Sequence, residues 1–209
     1  MSQFLTHILD DFAAHWGIVT LLFLFDCLIY ENNLWFRYKT KALHFPCSIG
    51  NLVWVVLCNQ VSITFPALYL ISHNHSTADI FHISTLIWAI LIHEILFYHL
   101  HRLFHTPFLY RKVHWKHHIW SSPWALCATY AHPIEHAVVN IFPLIVPVWL
   151  LDMSFTEARV WHVLALCATL IVAHGGYKWR RKESSHEIHH AERTCNYGAI
   201  GLLDYIYCT

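Results

Sequence analysis

Three short stretches of the sequence carry imidazoles at spacings that suit a metal ion. They are His101-Arg-Leu-Phe-His105, His114-Trp-Lys-His117-His118 and His186-Glu-Ile-His189-His190. Residues three and four apart on a helix share a face, so each stretch, read as helix, turns its rings to one side. Neutral imidazole is a ligand for iron, zinc, copper and nickel. With 20 histidines in 209 residues, chance produces the HxxHH pattern about 0.2 times in such a chain. Two copies beside a helical HxxxH therefore point to metal binding. Eight imidazoles exceed the needs of one four-ligand zinc site and fit two metals with open positions. His174, at the end of an apolar run and twelve residues before the third stretch, is a ninth candidate ligand.

Other polar residues have competing readings. His132 and His136 are four apart, but Pro133 perturbs a helix between them, so ligation stands beside a structural or substrate-lining role. His93 and His99 lie on the approach to the first stretch and stay open between ligand and packing. The histidines at 7, 15, 44, 73, 75, 82 and 162 are scattered and read as interfacial or packing residues. Glu94 lies seven residues before His101 in an apolar run, where a buried acid is a functional suspect. It is expected to accept the free N–H of a ligand histidine and fix its tautomer, and Glu135 could do the same. Glu187 could act likewise or be a solvated acid beside the basic run 178–182, and Glu183 balances that run.

Elements able to position these rings must be membrane helices. Hydrophobic residues make up 56% of the chain and charged residues 12%, half the share of about 25% typical of soluble domains. Disorder is excluded by the same composition. Lys+Arg and Asp+Glu are 13 each, so no charge excess argues for nucleic acid. Seven irregularly spaced cysteines read as buried thiols rather than a disulfide framework. The first basic residue is Arg37, so a cleaved signal peptide is not expected. Apolar runs cover Ala13–Tyr30, Ser48–Ser72 and Ile80–Tyr98. Ala137–Leu151 and Val160–Ala173 are shorter, at 15 and 14 residues, against about 17–25 for a spanning helix. They read as short spans extended by flanking residues, or as a hairpin dipping into one leaflet. The expected fold is an all-α integral membrane protein with about four to five spanning or re-entrant helices and a cytoplasmic, histidine-rich helical cap. Residues 1–98 would be N-terminal membrane helices and 99–209 a histidine-box unit with a hairpin at 137–173.

Basic residues follow the first, third and last runs: Arg37, Lys39 and Lys41, then Arg102, Arg111, Lys112 and Lys116, then Lys178, Arg180, Arg181, Lys182 and Arg193. If all five runs cross or dip back, these clusters and the histidine stretches share one face, which the positive-inside rule makes cytoplasmic. The segment His73–Asp79 would face the other side, and it holds an Asn74-His75-Ser76 sequon.

From Glu94 to Thr209 the sequence resembles the fatty acid hydroxylase / sterol desaturase superfamily of membrane di-iron enzymes. The similarity is carried by "EILFYHLHRLFH", "LYRKVHWKHH", "ATYAHPIE", "AHGGY", "HEIHH", "NYG" and "LLDYIYCT". "ATYAHPIE" is similar to the sterol-acting, methylsterol monooxygenase-like branch. Cys208, where the family usually has glycine, and Lys178, where some relatives have histidine, depart from the pattern. The resemblance implies two iron ions, with zinc as a possible substitute, held by His101, His105, His114, His117, His118, His174, His186, His189 and His190. It implies O2 as co-substrate and hydroxylation or desaturation of a lipid C–H bond. It further implies cytochrome b5 and its reductase as electron donor, and an endoplasmic reticulum location in a eukaryote. The basic patches at 111–116 and 178–182 would dock an acidic carrier or serve topology alone. Trp115, Trp120, Trp124 and Tyr130 would line a lipid pocket or anchor at the interface.

Two competing readings come from other classes. His186-Glu187-Ile188-His189-His190 matches HExxH, which would make Glu187 the general base of a membrane zinc protease. That leaves five histidines at 101–118 unused. A membrane metal or haem carrier without catalysis is the other.

Overall fold

The computed structural model describes residues 2–31, 46–72, 81–120, 124–177 and 184–209. The basic clusters at 37–41 and 178–182 and the sequon at Asn74 lie outside them. The described residues form helices and turns, with no β-strand. Helix α1 is Ser2–Glu31. Helix α2 (Ile49–Asn59) passes through a π-turn, Gln60–Thr64, into α3 (Phe65–Ser72). Helix α4 is Ile83–Phe104. A short α5 (Pro107–Leu109) and a π-turn, Tyr110–His114, lead into α6 (Trp115–His118). After a 3-10 turn, Ala125–Thr129, comes α7 (Pro133–Glu135), which continues through a π-turn, His136–Ile141, into α8 (Phe142–Leu150). Helix α9 (Phe155–Cys167) ends in a π-turn, Ala168–Ala173. Helices α10 (Ser185–Glu192) and α11 (Leu202–Tyr207) follow.

Four continuous stretches are long and apolar enough to cross a membrane: Ile49–Leu68, Ile83–Phe104, Pro133–Leu150 and Phe155–Ala173, of 20, 22, 18 and 19 residues. Ala13–Leu28 is a shorter apolar helix. Their outward faces carry Trp54, Ile87, Trp88 and Leu150, all exposed. Apolar side chains facing outward along such lengths suit a lipid solvent. The last two stretches extend the apolar runs at 137–151 and 160–173 by flanking residues, as one of the two sequence readings has it. The added turns hold Glu135, His136, Glu157 and Arg159, which break apolarity but not the helix. Pro133 stands at the first helical position, where a missing N–H costs nothing. His132 caps that helix, its Nδ1 accepting from Ile134 N at 3.2 Å.

The core joins these helices in two places. Val19, Leu52, Val56, Leu166 and Leu170 pack with Trp120, Trp124 and Tyr130. These three aromatic rings are therefore core residues and not interfacial anchors, whereas Trp115 is exposed. Leu86, Ala89, Val148, Met153 and Trp161 form the second cluster between α4, α8 and α9. Helix α4 runs without interruption through residues 98 and 99, where the sequence places a unit boundary.

Glu157 fastens two of the long helices. Its Oε2 accepts from Ser154 N at 2.9 Å, closing a capping box at the start of α9. Its Oε1 accepts from His82 N at 2.8 Å, directly before α4. Ser154→Ala removes one cap bond and should cost about 1 kcal/mol. Glu157→Ala removes acceptors for two elements and should cost more. Thermal unfolding in detergent, followed by tryptophan fluorescence, should rank the melting temperatures wild type, Ser154→Ala, Glu157→Ala in falling order.

Candidate metal centre

All nine imidazoles singled out by spacing converge on one region, in two groups. His101, His105, His114, His118 and His189 form the first; His117, His174, His186 and His190 form the second. Within each group the ligand atoms all lie within 4.8 Å of one another. The groups adjoin: the His118 and His190 ring centroids are 4.5 Å apart. The middle and the tail of the chain thus meet here.

Helix geometry explains the division. In an HxxHH stretch the first and fifth residues lie about 40° apart around the helix axis, while the fourth lies about 60° to the other side. His114 and His118 accordingly go to the first group and His117 to the second. On α10 the order is reversed: His186 and His190 go to the second group and His189 to the first. Each HxxHH stretch therefore serves both groups. His105 is not inside a helix but is the residue that closes α4.

Most of the ring nitrogens turned away from the groups are tied down, while His118 Nδ1 and His190 Nδ1 are buried with no hydrogen-bond partner among the described residues. His101 Nδ1 donates to Tyr197 O at 2.8 Å, and His189 Nδ1 to Cys195 O at 2.6 Å. His105 is held by the Arg193 backbone. His114 Nδ1 and Glu135 Oε1 are 2.8 Å apart and both side chains are buried. In the second group His117 Nδ1 donates to Tyr130 O at 3.3 Å, and His174 Nδ1 to Thr169 O at 3.0 Å. A carbonyl only accepts, so His101, His117, His174 and His189 carry their proton on Nδ1 and present a lone pair at Nε2.

Those lone pairs face one another. The Nε2 atoms of His117 and His174 are 3.4 Å apart, those of His101 and His114 3.2 Å, and those of His105 and His114 2.8 Å. His189 Nε2 is buried with no hydrogen-bond partner. Between two acceptors such a separation is repulsive, and a cation between them removes the repulsion. Imidazole binds a divalent ion at about 2.1 Å, and ligands at right angles are then about 3.0 Å apart. The donor set, its spacing and its orphaned nitrogen all fit metal.

Burial also keeps the rings neutral, as ligation requires. It lowers His105 from 6.5 to about 2, His114 and His117 to about 3, and His174 and His189 to about 4. The other imidazoles of the cluster act in the same direction on His105 and His174. His118, His186 and His190 are also held low, by burial first and then by neighbouring histidines.

Glu135 meets a histidine as the sequence predicts; Glu94 does not. Glu94 is fully buried and binds backbone instead. Its Oε2 accepts from Ala199 N at 2.7 Å and Ile200 N at 2.9 Å, and its Oε1 from Leu203 N at 3.2 Å. Asp204, which sequence reasoning missed, accepts from Tyr197 N and Gly198 N, each at 2.7 Å. Two buried carboxylates therefore grip the amides of 197–203, and the carbonyls at 193, 195 and 197 orient three rings. Backbone groups leave no trace in residue types, although the left-handed Arg193 and Asn196 mark an unusual turn. Gly198 is required: a Cβ there would stand 2.5 Å from Glu94 Oε1 and 2.7 Å from Asp204 Oδ2.

Glu187 is buried, not solvated, and closes a capping box at the start of α10, its Oε2 accepting from Ser184 N at 2.7 Å. His93 packs against Phe97 and Trp161, and His99 against Tyr98 and Tyr207, outside both groups. His132 and His136 are also outside them.

A family model described as fatty acid hydroxylase matches residues 86–209. The chain belongs to the fatty acid hydroxylase family, a group of lipid-modifying oxidoreductases. It is 36% identical over 176 residues to human fatty acid hydroxylase domain-containing protein 2, covering 78% of this chain and 53% of that protein. It is 32% identical over 125 residues to a Delta(7)-sterol 5(6)-desaturase of Gibberella zeae, covering 56% and 38%. It is 26% identical over 234 aligned residues to a very-long-chain aldehyde decarbonylase of Oryza sativa, covering 100% and 86%. The chain spans about half the length of the first of these relatives. No solved structure matches it.

Two outcomes test this geometry. Gly198→Ala, which touches no ligand, should weaken metal retention by about tenfold or more, read as metal per chain after dialysis against a graded chelator series. The second concerns acid. Unfolded imidazoles take up protons near 6.5, while the folded rings resist to about 4 or below. Stability of the metal-free protein should be fullest above pH 6.5 and fall as pH drops from there toward about 4. A melting temperature unchanged between pH 7.5 and 5 would contradict the neutral cluster.

Proposed function

We propose that the protein is a membrane-bound di-iron oxygenase that hydroxylates or desaturates a lipid C–H bond, using O2 and two electrons. The observation that carries this reading is the pair of adjoining imidazole groups with most of their outer nitrogens anchored. The first ion would be held by His101, His105, His114, His118 and His189, the second by His117, His174, His186 and His190. Iron, when bound, supplies O2 activation and the means to break an unactivated C–H bond. Membership of the fatty acid hydroxylase family supports the reaction class. The sterol desaturase among the relatives favours a sterol substrate, and the aldehyde decarbonylase an acyl-derived one.

The chain's own residues supply position and dryness. Carbonyls of Tyr197, Cys195, Tyr130 and Thr169 fix which nitrogen of each ring is free. Burial keeps the rings unprotonated, so the site holds cations at neutral pH without displacing protons. The apolar helices beside the centre give a lipid an approach from the bilayer. Lys116, its ammonium 5.4 Å from the Tyr130 ring, and exposed Arg111 and Lys112 lie near the second stretch. They form the face we assign to an acidic electron donor of the cytochrome b5 type, on the cytoplasmic side of the endoplasmic reticulum membrane.

The zinc-protease reading loses its base, because the Glu187 carboxylate is engaged in capping α10. Glu187→Asp should therefore leave most activity in place. Purified protein should hold about two irons per chain. The His114→Ala/His117→Ala/His118→Ala triple variant should lose both iron and lipid-dependent O2 uptake. Full lipid oxidation by that variant would refute the oxygenase reading.

A further inference from the structure

A second concentration of buried polar groups lies outside the metal centre. His15 on α1, Asn59 and Gln60 at the end of α2, and His136 beyond α7 are all buried. Most of these groups are paired. Asn59 Nδ2 donates to Ala131 O at 3.0 Å, and Trp16 Nε1 donates to Gln60 Oε1. Thr64 Oγ1 and His136 Nε2 are 2.9 Å apart, and Asn140 Nδ2 lies 3.4 Å from His136 Nδ1. His15 is the exception. It is 8% exposed, and its Nε2 has no hydrogen-bond partner among the described residues. Its neighbour Trp16 reaches Gln60, one turn before the Thr64 that meets His136. An unpaired buried nitrogen in a membrane helix is costly unless something else satisfies it.

We propose that His15 and the polar groups around His136 bind the hydroxyl group of an uncharged lipid. The inference rests on the oxygenase reading only in taking that lipid to be the substrate. Every named side chain is an imidazole, an amide, an indole or a hydroxyl, so a carboxylate or phosphate here would be a buried charge without a counter-charge. A hydroxyl fits, because it both donates and accepts and can pair with the free ring nitrogen. The site is also joined to the metal centre by one strap of chain. Tyr130 O holds His117, Ala131 O holds Asn59, Glu135 holds His114, and His136 meets Thr64. A hydroxyl held at His15 thus fixes a lipid relative to ligands of both groups.

The test uses metal-loaded protein in phosphatidylcholine nanodiscs and measures equilibrium binding of two pairs: cholesterol with cholestene, and stearyl alcohol with octadecane. Wild type should hold the hydroxyl member of at least one pair about tenfold more tightly than its partner, and the pair that responds distinguishes a sterol from a long-chain alcohol. His15→Leu should reduce that preference to within about twofold with metal content unchanged, and His15→Gln should restore part of it. No preference in either pair, or a preference that survives His15→Leu, overturns the proposal. Should His15→Leu lose its metal, photolabelling of wild type decides: a diazirine analogue of the preferred lipid should mark α1 near His15 and the 60–64 or 136–140 segments, and labelling confined elsewhere overturns it. Binding needs no turnover, so a protein that binds hydroxyl lipids and oxidises none would sink the oxygenase reading alone.

Discussion

Imidazole lone pairs pointed at one another across about 3 Å repel, and in a dry interior nothing screens them. The histidine cluster depends on resolving that repulsion. The constraints around it work in the same sense: most outer nitrogens are held by carbonyls or by Glu135, protonation is suppressed by burial, and the inner nitrogens face one another across a gap that suits a cation. The rest of the molecule can be read as scaffolding for this arrangement. The long apolar helices deliver His101, His105 and His174 to one place. The two capping boxes set the starting angles of α9 and α10, and Glu94 and Asp204 hold the strand of backbone that aims three of the rings.

The imidazole cluster was legible because it is written in side chains. Histidine is rare enough, and helical spacing regular enough, that His101 through His190 stand out against chance. The membrane helices were legible for a similar reason, since twenty apolar residues in a row have few other uses. What stayed hidden was written in backbone. The sequence says nothing of the carbonyls at 193, 195 and 197, and Glu94 was assigned a histidine partner because an acid on the same helix face offers no sign that amides a hundred residues later will claim it. Extension of the two short apolar runs by flanking residues was one reading of the sequence, but nothing in it showed that Glu135, His136 and Glu157 have partners waiting for them.

The four π-turns among the described residues share this logic. Each inserts an extra residue, and with it a shift of phase, within a long helix, at its end or beside the site. The one at Tyr110–His114 ends on a ligand, the one at Ala168–Ala173 precedes another, and the one at His136–Ile141 follows Glu135. A regular α-helix cannot present an apolar stripe to lipid and a polar group to the interior at arbitrary heights. A local change of pitch allows both.

The crossed assignment of the two HxxHH stretches has a consequence for loading. Because α6 and α10 each give rings to both groups, immobilising either helix around one ion also orders ligands for the other. The entropy of arranging the second pocket is largely spent when the first is filled. Uptake should therefore be cooperative, with chains tending to be empty or doubly occupied, and a singly occupied form scarce at intermediate supply.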